Sequence, residues 1–120
     1  VFNNSTLGMV KLEMLVNGLP DYGTDVHDVN YAEVARAIGF HGERVTEPTR
    51  LRAALEEAFA FDGPALVEVM TDPNALSLPP EIRSGQVIGF ATAMSKIVLN
   101  RGAGEVVSMA TSNMRNIPRL

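Results

Sequence analysis

The stretch Asp62-Gly63-Pro64-Ala65-Leu66-Val67-Glu68-Val69-Met70 decides the fold class. Its first three residues are typical of a turn, and the mostly apolar run that follows lacks the alternation of a half-buried strand. Runs of this kind are typical of strands that are covered on both faces of a parallel sheet. The sequence therefore predicts a buried parallel strand over residues 65–70.

The segments upstream of this strand alternate between strand and helix patterns. We predict strands at residues 1–3 and 43–45, helices at 8–16, 31–38 and 48–60, and a loop rich in glycine and proline over 17–28. The apolar stripes of the last two helices are Tyr31, Val34, Ala35 and Ile38, and then Leu51, Leu55, Ala58 and Phe59. Asn30 and Glu33 have the spacing of a helix cap. This order of elements indicates an α/β fold in which helices flank part of a parallel sheet.

The organisation of the chain changes near residue 80. Pro73 and Leu78-Pro79-Pro80 interrupt regular structure, and no strand pattern follows them. Helices are predicted over residues 81–100 and 104–115. We therefore expect two regions, 1–80 with the α/β pattern and 81–120 with helices alone.

Composition excludes several classes of function. The chain has no cysteine, which rules out disulfides, thiolate zinc sites and a cysteine nucleophile within it. No apolar run approaches the roughly 18 residues of a membrane-spanning helix. The net charge of −4 disfavours nucleic acid as a partner. His27 and His41 fall in predicted loops with no second ligand at metal spacing, so both are expected to be solvated or turn-bonding histidines rather than metal ligands.

Two carboxamides, Asn3 and Asn4, follow the first predicted strand. Ligands of open α/β sheets bind at the carboxyl ends of the strands, and the side-chain oxygen of asparagine is a hard, neutral ligand suited to Mg²⁺. Asparagine also commonly bonds to the backbone of a turn, so the pattern alone leaves both interpretations open. Glu68 needs a partner if its strand is buried, and no catalytic role is assigned to it.

Four segments resemble the thiamine-diphosphate-dependent enzyme family. They are Phe2-Asn3-Asn4, Asp28-Val29-Asn30-Tyr31-Ala32, Ala35 to Gly39, and residues 62–69. In that family a Gly-Asp-Gly triplet precedes the paired asparagine, and here it would lie before Val1. The resemblance implies that residues 1–80 are the carboxy-terminal half of a thiamine-diphosphate-binding domain, and that the chain is a fragment of a larger enzyme.

The resemblance also implies a set of site residues. Asn4 would give its side-chain oxygen to Mg²⁺ and Thr6 its backbone carbonyl, and the metal would hold the diphosphate. Leu7, Gly8 and Met9 would line the thiazolium end of the cofactor and the substrate cavity. No catalytic residue is assigned within the chain, because the glutamate that activates thiamine in this family lies outside it.

Residues 81–120 resemble the terminus of quinone-dependent pyruvate dehydrogenases. The similarity lies at Pro79-Pro80-Glu81-Ile82, Gly89-Phe90, Arg101-Gly102 and Thr111-Ser112-Asn113. It implies oxidative decarboxylation of pyruvate to acetate and carbon dioxide by a homo-oligomer, with FAD bound by a domain absent from this chain and quinone as acceptor. The alternatives are an acetolactate synthase-like carboligase and a non-catalytic α/β binding module. The isolated fragment is expected to show no pyruvate-dependent dye reduction.

That branch ends in an amphipathic membrane-binding segment, so residues 101–120 are expected to contact a membrane peripherally. Val106, Met109 and Ala110 share one helical face, and Arg101, Arg115 and Arg119 are available to anionic head groups. The same face could instead pack on its own protein. The expected location is the cytoplasm, peripheral to the inner face of the cell membrane.

Overall fold

A computed structural model describes residues 1–75 and 83–114. The described residues form two compact units. Unit 1 comprises Val1–Ser5 and His27–Thr71, and unit 2 comprises Thr6–Val26 and the described residues from Asp72 onward. The boundary expected at residue 80 and the motif at 79–82 lie outside the described residues, so the division into 1–80 and 81–120 stays a prediction.

The elements follow the α/β order that the sequence predicts. In chain order they are β1 (Phe2–Asn3), α1 (Gly8–Val16), α2 (Tyr31–Ala37), β2 (His41–Val45), α3 (Leu51–Ala60), β3 (Ala65–Met70), α4 (Ser84–Arg101) and α5 (Ala103–Asn113). A single 3₁₀ turn, Pro48–Arg50, leads into α3. The bounds of α1 and β3 match their predicted ranges, while β2 begins two residues earlier than expected, at His41.

Unit 1 contains a three-stranded sheet with the order β1-β3-β2. Both pairings are parallel, with Phe2 opposite Val69 on one side of β3 and His41 opposite Ala65 on the other. The stretch that decides the fold class is therefore the central strand, and the predicted parallel sheet is confirmed.

Small side chains form the contact between the helices and the sheet of unit 1. The buried residues of α2 and α3 are Ala32, Ala35 and Ala54. Gly42 lies so close to α2 that a β-carbon added there would clash with the carbonyl oxygen of Ala32. Ala35 of the predicted apolar stripes is therefore buried, whereas most of their larger members are exposed in this unit: Tyr31, Val34, Ile38, Leu55 and Phe59.

Unit 2 has an apolar core built by its three helices, α1, α4 and α5. The buried core residues are Leu12, Leu15, Ala93, Ile97 and Met109, with Val16, Phe90, Met94 and Val106 packed against them. Gly102, at a φ of 87°, separates α4 from α5. The predicted face of α5 is therefore buried at Met109 and partly buried at Val106, while Ala110 is exposed.

The loop after α1 is fixed to the helices of unit 2 by charged groups. Lys96 Nζ donates to the carbonyl of Gly18 at 2.8 Å. Buried Asp21 lies 3.6 Å from buried Lys11 and 3.1 Å from Arg101 Nη1, whose Nη2 also donates to the Asp21 carbonyl. Arg101 is thus bonded within unit 2, while Arg115 and Arg119 lie outside the described residues.

Among the described helices, none has the length and apolar character needed to cross a membrane.

Candidate functional site

Asn3 fixes the carboxyl end of β1 through every polar group of its side chain. Its Nδ2 donates to Glu68 Oε1 at 2.6 Å and to the Val29 carbonyl at 3.1 Å, and its Oδ1 accepts from the backbone N–H of Ser5 at 3.0 Å. The strand ladder continues with Thr71 N–H donating to the Asn3 carbonyl at 2.9 Å. The turn-bonding interpretation therefore holds for Asn3, and the chain leaves the sheet at Asn4.

Glu68 is the partner that holds Asn3 in place. Its side chain is completely buried in the centre of β3. Oε1 accepts from Asn3, Oε2 accepts from the backbone N–H of Ala32 at 3.1 Å, and Arg44 Nε lies 3.9 Å from Oε1. One carboxylate thus joins β1, the first turn of α2 and β2. Because a buried carboxylate is stable only when it is paired and hydrogen-bonded, Glu68 and its partners fix one another.

The turn after Asn4 contains a backbone conformation that is uncommon for a residue with a side chain. Ser5 has a φ of 51°, in the left-handed region. Its N–H is held by Asn3 Oδ1, which compensates for the strain. Strained backbone often lies at ligand-binding turns, and here it directly follows Asn4, the predicted Mg²⁺ ligand.

The residues from Thr6 to Met9 lie in unit 2, whereas Asn4 lies in unit 1. Asn4 and Thr6 are therefore described separately, each in its own unit. Thr6 is buried, and its Oγ1 donates to the Thr24 carbonyl at 3.1 Å. Leu7 N–H donates to the same carbonyl at 2.7 Å, and Gly8 begins α1. The side chains of Leu7 and Met9 are 49% and 71% exposed.

These residues fit the groups that the resemblance implies. The oxygen of Asn4 and the carbonyl of Thr6 are hard, neutral ligands of the kind that Mg²⁺ takes together with phosphate oxygens. Leu7 and Met9 present exposed apolar side chains at the start of α1, as expected of residues that line a mostly apolar cofactor cavity. The ligand role of Asn4 and Thr6 and the lining role of Leu7, Gly8 and Met9 stay predictions.

The expectation that His41 lies in a loop is wrong. His41 is the first residue of β2 rather than part of a loop. It also lies with Glu43 and Glu57 such that one ligand atom from each falls within 4.8 Å of the others. The sequence could not show this grouping, because Glu57 comes from α3, sixteen positions away. His27, by contrast, lies in a loop as predicted.

A parallel sheet with a carboxamide turn at its carboxyl edge defines an α/β ligand-binding domain. The family described as "Thiamine pyrophosphate enzyme, C-terminal TPP binding domain" matches residues 1–69. The chain belongs to this family, and the predicted family is confirmed.

Three similar proteins show how far the likeness extends. YdaP of Bacillus subtilis (strain 168) is 36% identical over 115 residues, which cover 96% of this chain and 20% of that protein. The name of that protein assigns it thiamine pyrophosphate only provisionally. The acetolactate synthase large subunit IlvG of Mycobacterium tuberculosis is 59% identical over 44 residues, or 37% of this chain and 8% of that protein. The mitochondrial acetolactate synthase catalytic subunit of Aspergillus candidus is 36% identical over 81 residues, which cover 66% of this chain and 12% of that protein.

The chain thus spans a fifth or less of the length of these relatives. Membership of the family supports a thiamine-diphosphate-dependent enzyme as the whole protein. It does not support the pyruvate-oxidising branch over the others, since two of the relatives carry the name acetolactate synthase. FAD, quinone and the oxidative step remain predictions from the sequence resemblance.

Proposed function

We propose that the protein to which this chain belongs is a thiamine-diphosphate- and Mg²⁺-dependent enzyme that decarboxylates pyruvate. The observation that carries this proposal is the placement of Asn4. It follows β1 directly, beyond an Asn3 that is fixed by Glu68 and Ser5, in a domain of the thiamine pyrophosphate family. A rigid support of this kind is what a metal ligand requires, because affinity depends on ligand orientation.

Within this proposal the residues of the chain bind and orient the cofactor. The Asn4 oxygen and the Thr6 carbonyl would hold Mg²⁺ for the diphosphate, and Leu7 and Met9 would exclude water from the thiazolium end of the cofactor. Bound thiamine diphosphate supplies the stabilisation of a carbanion that decarboxylation of a 2-keto acid requires. The protein supplies position and a dry cavity.

Two fates of the decarboxylated substrate have support, and each rests on a different observation. The 59% identity to an acetolactate synthase over 44 residues favours condensation with a second keto acid. The likeness to YdaP covers 115 residues and so includes most of α4 and α5, where the sequence resembles quinone-dependent pyruvate dehydrogenases. That second candidate produces acetate and needs FAD and quinone.

The proposal is tested by cofactor binding and product analysis with the full-length protein. Titration of thiamine diphosphate should show binding that requires Mg²⁺, and Asn4→Ala should weaken it by about tenfold or more, because a ligand oxygen is lost. Asn100→Ala, at an exposed position of α4, is the matched control and should leave the affinity unchanged. Incubation with pyruvate should then give acetolactate or, with FAD and a quinone, acetate.

Two outcomes would contradict the proposal. Absence of Mg²⁺-dependent thiamine diphosphate binding would favour the non-catalytic α/β module. Equal binding by the wild type and Asn4→Ala would remove Asn4 from the metal site.

Peripheral membrane contact through residues 101–120, a homo-oligomer and a cytoplasmic location also remain proposals. Burial of Met109 on α5 and the bonds of Arg101, the last residue of α4, to Asp21 support packing of this segment within unit 2. Exposed Val107 and Met114 lie elsewhere on the same segment. Liposome sedimentation with and without residues 101–120 distinguishes the two roles.

A further inference from the structure

A second group of potential metal ligands lies in unit 1, where β2 faces α3. His41 and Glu43 are two residues apart on β2 and therefore point to the same face of the strand. Because α3 packs on β2, Glu57 reaches the same place. One ligand atom from each residue lies within 4.8 Å of the other two. We name these three residues the β2–α3 cluster.

The imidazole of His41 carries a buried nitrogen that no described residue satisfies. Nε2 is shielded from solvent and has no hydrogen-bond partner within residues 1–75 and 83–114. The ring is held beside Phe61, with centroids 5.4 Å apart and planes tilted by 32°. Buried polar atoms are nearly always bonded, so the unpaired Nε2 leaves the His41 ring with a hydrogen-bonding capacity that a ligand would satisfy.

Arg50 bridges the two carboxylates of the cluster. Its Nε donates to Glu43 Oε1 and its Nη2 to Glu57 Oε1, both at 2.8 Å. The hydrogen bond to Glu43, followed by that to Glu57, raises the pKa of the guanidinium. The Arg50 side chain is 48% exposed, and ion pairs at such positions contribute little to stability. Arg50 therefore holds the carboxylates together and can swing into solvent when a stronger cation binds.

We propose that His41, Glu43 and Glu57 bind a Zn²⁺ ion that displaces Arg50 from the carboxylates. One nitrogen and two carboxylate oxygens are a three-ligand set that Zn²⁺ accepts, with a fourth position left for water. The imidazole distinguishes this site from the Mg²⁺ site proposed at Asn4, because Mg²⁺ takes oxygen ligands and Zn²⁺ binds imidazole. Zn²⁺ would join β2 to α3 by coordination.

The test is a Zn²⁺ titration of the tag-free full-length protein, without thiamine diphosphate and in excess Mg²⁺. We expect one Zn²⁺ whose binding is weakened about tenfold or more by His41→Gln and also by Glu57→Gln, since each removes a ligand. His27→Gln is the matched control, because His27 lies in an exposed loop, and should bind as the wild type does. Arg50→Gln should tighten binding several-fold, because it removes the competing cation.

Co²⁺ provides a second readout that a purely structural effect would not produce. A bound Co²⁺ in the wild type should give visible absorption that titrates with the same stoichiometry and is absent in His41→Gln. Thermal unfolding in the presence of a chelator checks that the variants fold. The proposal is overturned if His41→Gln binds Zn²⁺ as tightly as the wild type, or if Arg50→Gln weakens binding. Neither result depends on thiamine diphosphate binding at Asn4.

Discussion

The interior of unit 1 and the interior of unit 2 are stabilised by different interactions. In unit 1 the residue buried at the centre of the sheet is a carboxylate, Glu68, and its helices contact the sheet through alanines. In unit 2 the centre is filled by large apolar side chains, with Leu15, Ile97 and Met109 nearly inaccessible to solvent. Directional hydrogen bonds fix positions, whereas apolar packing supplies stability with less demand on geometry.

The predicted site residues of each unit rest on these different interactions. In unit 1 the bond between Asn3 and Glu68 fixes the chain directly before Asn4, the proposed Mg²⁺ ligand. Unit 2 presents Leu7 and Met9 at the start of α1, whose buried face is anchored in the apolar core through Leu12 and Leu15. The position of Asn4 therefore depends on polar contacts within unit 1, and the positions of Leu7 and Met9 depend on packing within unit 2.

The largest expected effect is the loss of packing in unit 2. Ile97→Ala removes a completely buried side chain from the contact among α1, α4 and α5, and should cost about 3–4 kcal/mol of local stability. Leu99→Ala, two positions along and 84% exposed, is the control and should change stability by less than about 0.5 kcal/mol. Hydrogen exchange of peptides from α1, α4 and α5 measures both. Equal protection in the two variants would show that this core does not stabilise unit 2.

The second-largest expected effect is the loss of hydrogen bonds at the polar centre of unit 1. Glu68→Gln keeps the size of the side chain but replaces one acceptor oxygen by an NH₂ group, facing donors from Asn3 and Ala32. It should cost about 2 kcal/mol, because a buried donor loses its acceptor. The measurement is hydrogen exchange of peptides from β1 and β3.

Glu56→Gln is the control for this charge removal. Glu56 is 64% exposed and pairs with Arg52 one turn earlier on α3, so the change should cost well under about 1 kcal/mol. If the two glutamine variants lost equal protection, apolar contacts rather than the Glu68 network would hold the sheet of unit 1.

The sequence predicts the order and type of the elements because turn residues punctuate it clearly. Asp62-Gly63-Pro64 places the start of β3, and Asn30 places the start of α2, where its Oδ1 accepts from Glu33 N–H at 3.0 Å. The buried face of α2 was predicted only in part, because Ala35 of the apolar stripe is buried together with Ala32, which lies outside the stripe. At this face the backbone of α2 approaches Gly42 so closely that a β-carbon there would clash with the Ala32 carbonyl oxygen.

The site was only partly predictable for the same reason. The adjacent asparagines are visible in the sequence, but the bond that fixes Asn3 is not, since its partner Glu68 is remote in sequence and adjacent in space. The β2–α3 cluster also joins residues from two elements. Spacing along one strand or helix reveals ligands on that element alone, whereas contacts between elements follow from packing.

The smallest effect concerns an exposed carboxylate of unit 2, in contrast to buried Glu68. Asp72 accepts a hydrogen bond from the side chain of Ser112 on α5 and another from the backbone N–H of Asn74, at 2.8 Å. The Ser112 bond is the larger cause that lowers the pKa of Asp72 below its ordinary value of 3.8, and the Asn74 bond adds to it. Both bonds favour the charged form.

Ser112→Ala should therefore raise the pKa of Asp72 toward 3.8. Because the folded pKa is lowered, the stabilising contribution of Asp72 is present above 3.8 and is lost as the pH falls through the lowered folded value. The variant should thus be slightly less stable at neutral pH and equal to the wild type in strong acid. NMR titration of the Asp72 carboxyl carbon, after selective labelling of aspartate, measures the shift. Ser95→Ala, whose hydroxyl donates to Ala91 within α4, is the control, and an equal pKa in both variants would show that Ser112 does not hold the carboxylate.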